Sequence, residues 1–328
     1  MVILAGVDAG STKTRVVLAD ARGRVLGVGT GGTCNLVVND PVTARKNLGD
    51  AFEAAAHSAK LSLPLDLASV FVGSAGIVTQ QDKAACGRML LSLEQICCRK
   101  LELANDIDLV LAGGLGGSEG VALIAGTGSN CVGRRTDGRR WQAGGREWLV
   151  DDRGSGFRLG LEAIIAVVRA KDGRDPPTIL ETPVFEALGI RELEDVIYRL
   201  HGRGSAEGLI KKQDVAALTP LVIEAATSGD MTAIGIIDRE VAELACMIDA
   251  VAVKLDLVAK GFRWTVSGSV GNAPLILNRL RNMVSLRLPS AAFVRQELPP
   301  EFGAVLLAAE LAGLRPETSF VRHLQSVP

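Results

Sequence analysis

Gly6-Val-Asp-Ala-Gly-Ser-Thr-Lys-Thr14 lies between two apolar runs, residues 2–5 and residues 16–18. Apolar runs on either side of a small, hydroxyl-rich segment predict two strands joined by a turn. The backbone N–H groups of such a turn face a common point, and this arrangement suits a polyphosphate. Asp8, at the end of the first strand, is a candidate anchor for Mg²⁺, because that ion keeps waters and phosphate ligands and needs only one or two carboxylates.

A second copy of the pattern begins at residue 121. Residues 121–126 form another apolar run, and Thr127-Gly128-Ser129-Asn130 is another small polar turn. Each copy then continues through a strand into a tight turn, Asp20-Ala-Arg-Gly23 in the first copy and Asp137-Gly138 in the second. The nearly constant separation of the matching positions indicates an internal duplication, and we expect two α/β domains, each with a mixed sheet.

Length and charge restrict the class of protein. A chain of 328 residues is longer than a single hydrophobic core usually supports. This length predicts two domains with a cleft between them. The formal net charge of -1 gives no excess of positive charge that would attract nucleic acid. No apolar run reaches membrane-spanning length, and the first residues lack the basic region of a signal peptide. We therefore expect a cytoplasmic enzyme without nucleic-acid or membrane partners.

Most of the chain alternates strand and helix. The patterns predict helices over residues 41–60, 84–93, 214–228, 231–259, from 274 onward and, as the last element, 302–313. They predict strands over residues 69–73, 100–104 and 263–267. The glycine-rich stretch at 113–120 is predicted to be a linker. Apolar residues spaced by four and three make one buried stripe of the long helix, which we expect to end at Gly261.

Two other patterns favour ordinary structure. Gly27-Val-Gly-Thr-Gly-Gly32 fits the dinucleotide fingerprint GxGxxG, but the next helix begins too late for those glycines to lie at its N-terminus, so an edge strand is expected. The six cysteines contain no CxxC motif and no zinc-type pairing with the three histidines. Buried, reduced thiols are therefore expected.

The chain resembles a known family at several of these motifs. The segments that carry the resemblance are residues 6–14, Asn105-Asp106, Ile124-Ala-Gly-Thr-Gly-Ser-Asn130, Gly144-Gly145 and Asp152-Arg-Gly-Ser-Gly156. They are similar to the N-acetylglucosamine kinase branch of the BadF/BadG/BcrA/BcrD ATPase family, within the actin, hsp70 and sugar kinase superfamily. The similarity runs from residue 3 to about residue 314.

The resemblance implies a fold and an activity. It implies two ribonuclease H-like (actin-like ATPase) domains, residues 1–117 and 118–301, with the helix at 302–313 packing back on the first. It implies a kinase that depends on ATP and Mg²⁺ and phosphorylates the 6-hydroxyl of an amino sugar. N-acetylglucosamine is the favoured sugar, ahead of glucosamine. The resemblance also implies a homodimer. The other class in the same family is an activator ATPase that holds an iron–sulfur cluster between subunits, but the cysteines show no paired pattern for one.

The resemblance also assigns roles to single positions. It implies nucleotide binding at Gly10, Ser11, Thr12, Lys13, Gly126, Thr127, Gly128, Gly268 and Ser269. It implies sugar binding at Asn35, Asp106, Ser129, Asn130, Gly145 and Asp152, with Asp8 at the metal. Phosphoryl transfer also needs a base, and Asp106 is either that base or simply the N-cap of a helix; the resemblance favours the base.

The family pattern is broken near the expected sugar site. Where the family commonly has Gly-Gly-Trp-Gly, this chain has Arg146 and Glu147 after its two glycines, and Arg153 replaces a glutamate. Arg146 could recruit a carboxylate-bearing sugar, and Glu147 could favour glucosamine. The alternative is a surface pair between Arg146 and Glu147 that contributes little.

Overall fold

A computed structural model describes residues 1–10, 12–201 and 209–326. Its first half contains β1 (Ile3–Ala9), β2 (Lys13–Asp20), β3 (Val25–Gly32), α1 (Pro41–Ala59), β4 (Leu65–Leu67), β5 (Ser69–Ser74), α2 (Gln80–Leu91), β6 (Ile96–Cys98), β7 (Leu101–Ala104) and α3 (Asp106–Gly114). Five of these strands form one sheet in the order β3-β2-β1-β5-β7, and β4 pairs with β6 beside it. Strands β1, β2 and β3 are antiparallel, whereas β1, β5 and β7 run parallel.

The second half repeats this sheet. It contains β8 (Gly120–Ala125), β9 (Ser129–Arg134), β10 (Arg140–Gly144), α4 (Gly156–Lys171), α5 (Glu181–Leu188), α6 (Asp195–His201), α7 (Lys212–Ala216), α8 (Thr219–Thr227), α9 (Met231–Lys254), β11 (Phe262–Ser267), α10 (Pro274–Arg287) and β12 (Ala291–Phe293). The strand order β10-β9-β8-β11-β12 and the strand directions match those of the first sheet. The predicted fold class, two α/β units from a duplicated chain, is confirmed.

The end of the chain returns to the first half. Helix α11 (Pro300–Ala312) packs on β1, β2 and β5 and against α3. It forms a buried cluster with residues of the first sheet, including Leu4, Val17 and Phe71. This helix was predicted as the last element, but α12 (Thr318–Gln325) follows it and buries Phe320, Val321 and Leu324 in the same cluster. The domain limits at residues 117 and 301 stay a prediction.

Several predicted boundaries were wrong for local reasons. The expected linker at 113–120 begins inside α3, whose last residues, Gly113 and Gly114, are buried. Helix α2 starts earlier than predicted because Thr79 and Asp82 form a capping box. The predicted helix at 214–228 is two helices, α7 and α8, and α9 ends at Lys254, followed by a 3₁₀ turn, rather than continuing to Gly261.

The glycine run that fits GxGxxG forms β3, an edge strand, as expected. Its glycines let α1 lie directly on the strand: a Cβ built at Gly27 would lie 2.5 Å from the carbonyl oxygen of Ala55, and one at Gly29 would lie 2.1 Å from that of Ala51. Side chains at these positions would push the helix off the sheet. Close packing of helix on strand therefore explains the glycines without a ligand.

We predict that Gly29→Ala lowers the free energy of unfolding by about 1–3 kcal/mol, since the added methyl group overpacks the contact with α1. Gly235→Ala is the matched control: its Cβ would meet only the flexible end of Arg239, at 3.5 Å, within α9. That change should leave the protein as stable or up to about 1 kcal/mol more stable. Urea unfolding of both variants measures this, and equal stabilities would contradict the proposed contact.

Candidate functional site

A cleft of about 1360 Å³ lies between the elements of the two halves. Its walls include the N-terminus of α3, the turn between β8 and β9, the segment after β10 and the start of α7. Nine of the residues predicted for the site line this cleft: Thr12, Asp106, Gly126, Thr127, Gly128, Ser129, Asn130, Gly145 and Asp152. The structure thus brings one residue of the first turn, the whole second turn and the candidate base into one space.

The other predicted residues are not part of the cleft lining. Asp8, Gly10 and Lys13 lie at the ends of β1 and β2, and Gly268 and Ser269 lie after β11. Ser11 lies outside the described residues. Asn35 is buried beside a separate cavity of about 90 Å³.

A loop after β3 supports the first turn. The hydroxyl of Thr33 donates a hydrogen bond to the carbonyl oxygen of Gly10 at 2.6 Å, and the N–H of Cys34 donates to the hydroxyl of Thr14 at 3.0 Å. Burial raises the pKa of the Cys34 thiol, which favours the neutral thiol. The side-chain oxygen of Asn35 accepts from the N–H of Val37 at 2.9 Å, so Asn35 holds its own loop in this state.

The second turn is supported from two sides. At the start of α4, the N–H of Gly156 donates to the carbonyl oxygen of Gly126 at 2.7 Å, and the N–H of Phe157 donates to that of Thr127 at 3.2 Å. On the other side, Gly268 has a φ of +92°, and a Cβ there would lie 2.3 Å from the carbonyl oxygen of Ala125. The segment at Gly268 and Ser269, predicted to bind the nucleotide, is therefore directly behind the second turn.

Asp8 lies in a negative environment. Burial, Glu301 and Asp106 raise the pKa of Asp8 to about 6, although the positive charges of Arg15 and Lys13 oppose this. A bound cation would offset the repulsion between these carboxylates, so the residues fit a Mg²⁺ ion bridged to phosphates. No three His, Cys, Asp or Glu side chains within residues 1–10, 12–201 and 209–326 are grouped to hold a metal by themselves.

Glu301, at the start of α11, is a neighbour that the sequence analysis missed. It is almost fully buried and pairs with Arg15 at 2.6 Å. Arg15 is itself opposite Asp8 in the β1–β2 pairing. Because Glu301 is nearly 300 residues away along the chain, no local pattern could have placed it beside β1.

Asp106 is the first residue of α3 and does not cap the helix. The N-cap is Asn105, whose side-chain oxygen accepts from the N–H of Ile107 at 3.3 Å. Burial raises the pKa of Asp106 above the ordinary aspartate value. The capping alternative therefore applies to Asn105, and Asp106 is a partly buried carboxylate on the cleft wall with increased proton affinity.

Asp152 is held in place by two donors. One carboxylate oxygen accepts from the N–H of Ser129 at 3.1 Å, and the other accepts from the ammonium group of Lys212 at 2.8 Å. The hydroxyl of Ser129 in turn donates to the carbonyl oxygen of Arg153 at 2.6 Å. Lys212 was not among the predicted site residues, since it comes from α7, and only the folded chain brings it to Asp152.

Arg146 and Arg153, the two arginines at which the family pattern is broken, have different surroundings. Arg153 points toward α9, where it pairs with Glu240 at 2.8 Å, and Glu240 also accepts from the N–H of Gly154 at 2.6 Å. The positive charge of Arg153 is thus paired with a buried glutamate. Arg146, in contrast, lines the cleft. A carboxylate oxygen of Glu147 lies 3.6 Å from the ammonium nitrogen of Lys212. Among the described residues, Glu147 therefore pairs with Lys212 and not with Arg146.

Asn130 has an unused acceptor. Its side-chain oxygen is buried and has no hydrogen-bond partner in the described part of the chain. Gly145 lies against it, since a Cβ at Gly145 would be 2.7 Å from the side-chain carbon of Asn130. A buried acceptor without a donor costs free energy, so this position suits a ligand that presents an N–H or O–H group.

Comparison with known proteins gives a consistent result. Residues 5–308 match the model of the BadF/BadG/BcrA/BcrD ATPase family. The chain is 29% identical to an N-acetylmuramic acid/N-acetylglucosamine kinase of Clostridium acetobutylicum over 92% of this chain and 97% of that protein. It is 26% identical to an N-acetyl-D-glucosamine kinase of Dictyostelium discoideum, over 93% and 97% of the two chains.

A solved structure shows the same fold. It belongs to a putative N-acetylglucosamine kinase from Chromobacterium violaceum and superimposes with a TM-score of 0.73 at 25% identity, covering 94% of this chain and 99% of the other. Separately, among the described residues no helix is long and apolar enough to cross a membrane.

We predict that Gly268→Ala weakens the binding of ADP by about tenfold or more, because its Cβ would displace the strand end that carries the second turn. Gly229→Ala is the control, since Gly229 has nearly the same φ, +91°, but a Cβ there would meet nothing within 4 Å. Both variants carry the same backbone strain. Calorimetric titration with ADP should separate them, and equal affinities would remove Gly268 from the nucleotide site.

Proposed function

The chain belongs to the BadF/BadG/BcrA/BcrD ATPase family, and from this premise we propose that it is a kinase that transfers the terminal phosphoryl group of ATP to an amino sugar. The proposed acceptor is the 6-hydroxyl of N-acetylglucosamine, with glucosamine as the second candidate. One observation carries the proposal: Asp106, a partly buried carboxylate with a raised pKa, faces the same cleft as Thr12 and the turn at Gly126–Gly128.

Each part of this arrangement has a role in phosphoryl transfer. The reaction needs phosphates held in place, negative charge neutralised and a hydroxyl directed at the phosphorus atom. Backbone N–H groups of the two turns can hold the phosphates. Asp106 can accept the proton of the attacking hydroxyl, and its raised pKa increases its strength as a base. When bound, Mg²⁺ would supply charge neutralisation, and Asp8 is the residue we propose to anchor it.

The proposed sugar contacts involve residues of the second half. The unused acceptor of Asn130 suits the N–H of an acetamido group, and Asp152, which accepts a hydrogen bond from Lys212, suits sugar hydroxyl groups. A sugar hydroxyl donating to Asp152 would add to the two bonds that the carboxylate already accepts. The primary 6-hydroxyl extends furthest from the sugar ring, which supports it as the group that reaches the partly buried Asp106.

The loop that carries Asn35 must move toward the cleft before Asn35 can contact the same sugar. Its cavity adjoins the cleft, because Ile77 lines both. The two turns belong to different sheets, so binding of sugar and ATP can draw the halves together and bring this loop toward the cleft. We keep Asn35 in the proposed site on this basis. The homodimer and the cytoplasmic location also remain proposals.

Phosphorylation of a sugar panel tests the function. The protein is incubated with ATP and Mg²⁺ plus N-acetylglucosamine, glucosamine or glucose, and the products are analysed for a phosphate on O6. We expect N-acetylglucosamine to have the highest kcat/KM. A tenfold preference for glucosamine would reverse the ranking within the same class of kinase. A rate of ATP hydrolysis that is the same with and without each sugar, or iron in the purified protein, would instead indicate an activator ATPase.

We predict that Asp106→Asn lowers kcat by about 10²–10⁴, because the amide keeps the shape but cannot accept the proton. In the unaltered enzyme, kcat should fall as the pH drops through a pKa above the ordinary aspartate value of about 3.9, since burial favours the protonated form. ATP binding should be retained. Asp66→Asn, at an exposed residue of β4, is the control and should have normal kinetics. Near-normal turnover of Asp106→Asn would remove Asp106 as the base.

A further inference from the structure

Nearly every charged side chain on the cleft wall has a partner of opposite charge. The ion pairs are Lys83–Glu102, Asp108–Arg140, Arg134–Glu310 and Lys212 with both Asp152 and Glu147. Among the described residues that line the cleft, the charged side chains without an ion pair are Asp106 and Arg146. Asp106 is the proposed base, so Arg146 is the remaining charge without an ion-pair partner in the described part of the chain.

The backbone holds Arg146 at this position. Its N–H donates to a carboxylate oxygen of Asp151 at 3.2 Å, and the N–H of Asp151 donates to the carbonyl oxygen of Glu147 at 2.9 Å. Glu147 has a φ of +78°, an uncommon conformation for a residue other than glycine. The segment thus forms a closed turn that presents Arg146 at the cleft.

Both chain neighbours of Arg146 lie beside proposed sugar residues. Its neighbour Gly145 packs on the side chain of Asn130, and its other neighbour, Glu147, lies 3.6 Å from the lysine that holds Asp152. The turn at Gly126–Gly128 is supported by α4 and by the segment after β11, and Gly128 also lies beside Asp152. An anion that pairs with Arg146 would therefore lie near Asn130 and Asp152, where the sugar is proposed to bind.

We propose that Arg146 is a specificity-determining residue that binds a carboxylate on the sugar, so that the enzyme accepts acidic N-acyl amino sugars as well as neutral ones. The inference rests on the proposed kinase function. Arginine suits this role because its planar group donates two parallel hydrogen bonds to a carboxylate. N-acetylmuramic acid is a suitable probe, since it carries a carboxylate on an ether at O3 and leaves the 6-hydroxyl free.

The test compares kcat/KM for N-acetylmuramic acid and N-acetylglucosamine with saturating ATP. The unaltered enzyme should phosphorylate both sugars. Arg146→Gln should lower kcat/KM for the acidic sugar by about 10–100-fold, the range for loss of a charge-assisted hydrogen bond, and change that for the neutral sugar by less than about threefold. Arg146→Lys should recover part of the loss, because it keeps the charge without the paired donors. Arg322→Gln, at an exposed residue of α12, is the control and should change neither value.

The outcomes separate this inference from the proposed function. Phosphorylation of N-acetylglucosamine without phosphorylation of N-acetylmuramic acid would overturn the role of Arg146 and leave the kinase in place. Equal losses for both sugars, with a raised KM for ATP, would place Arg146 at a nucleotide phosphate and also overturn it. If the unaltered enzyme phosphorylates neither sugar, the proposed function itself fails.

Discussion

The site depends on α3 being buried on two sides. On one side, α3 packs against α11 with almost no space: a Cβ at Gly303 would lie 2.1 Å from the carbonyl oxygen of Leu109. On the other side, Ile107 and Leu111 join a buried cluster with Ala122 and Val132 of the second sheet. A helix enclosed in this way cannot shift without opening one of these contacts. Its first residue, the proposed base, is therefore fixed relative to both sheets.

The same packing concentrates carboxylates around the end of β1. Helix α11 lies so close to β1 that a Cβ at Gly6 would be 2.5 Å from the backbone nitrogen of Val305. This contact brings Glu301 next to Asp8, and α3 brings Asp106 to the same region, while Arg15 compensates only part of the charge. Repulsion between buried carboxylates costs stability. We infer that close packing provides the stability that keeps this charge in place until a cation and phosphates arrive.

The sequence predicted the repeated parts of the fold well. Two copies of strand, turn and strand predicted the duplicated sheets, and the start of α1 was predicted at residue 41, where Asp40 caps the helix and a proline opens it. These signals are local. Contacts between distant segments could not be predicted in this way. Glu301 beside Asp8, Lys212 at Asp152 and Glu240 under Arg153 each join segments far apart in the chain. The sequence thus identified the types of residue in the site but not their partners.

The contacts between the halves suggest how the cleft can close. Besides the apolar contacts of α3, the halves are joined by ion pairs between partly exposed side chains, Asp108 of α3 with Arg140 and Glu310 of α11 with Arg134. Such pairs contribute about 0–1 kcal/mol each, so they can break and re-form at little cost. The buried contacts of α3 are apolar and more costly to open. We therefore expect the halves to move about α3, so that the phosphate turns approach each other while Asp106 stays at the centre of the motion.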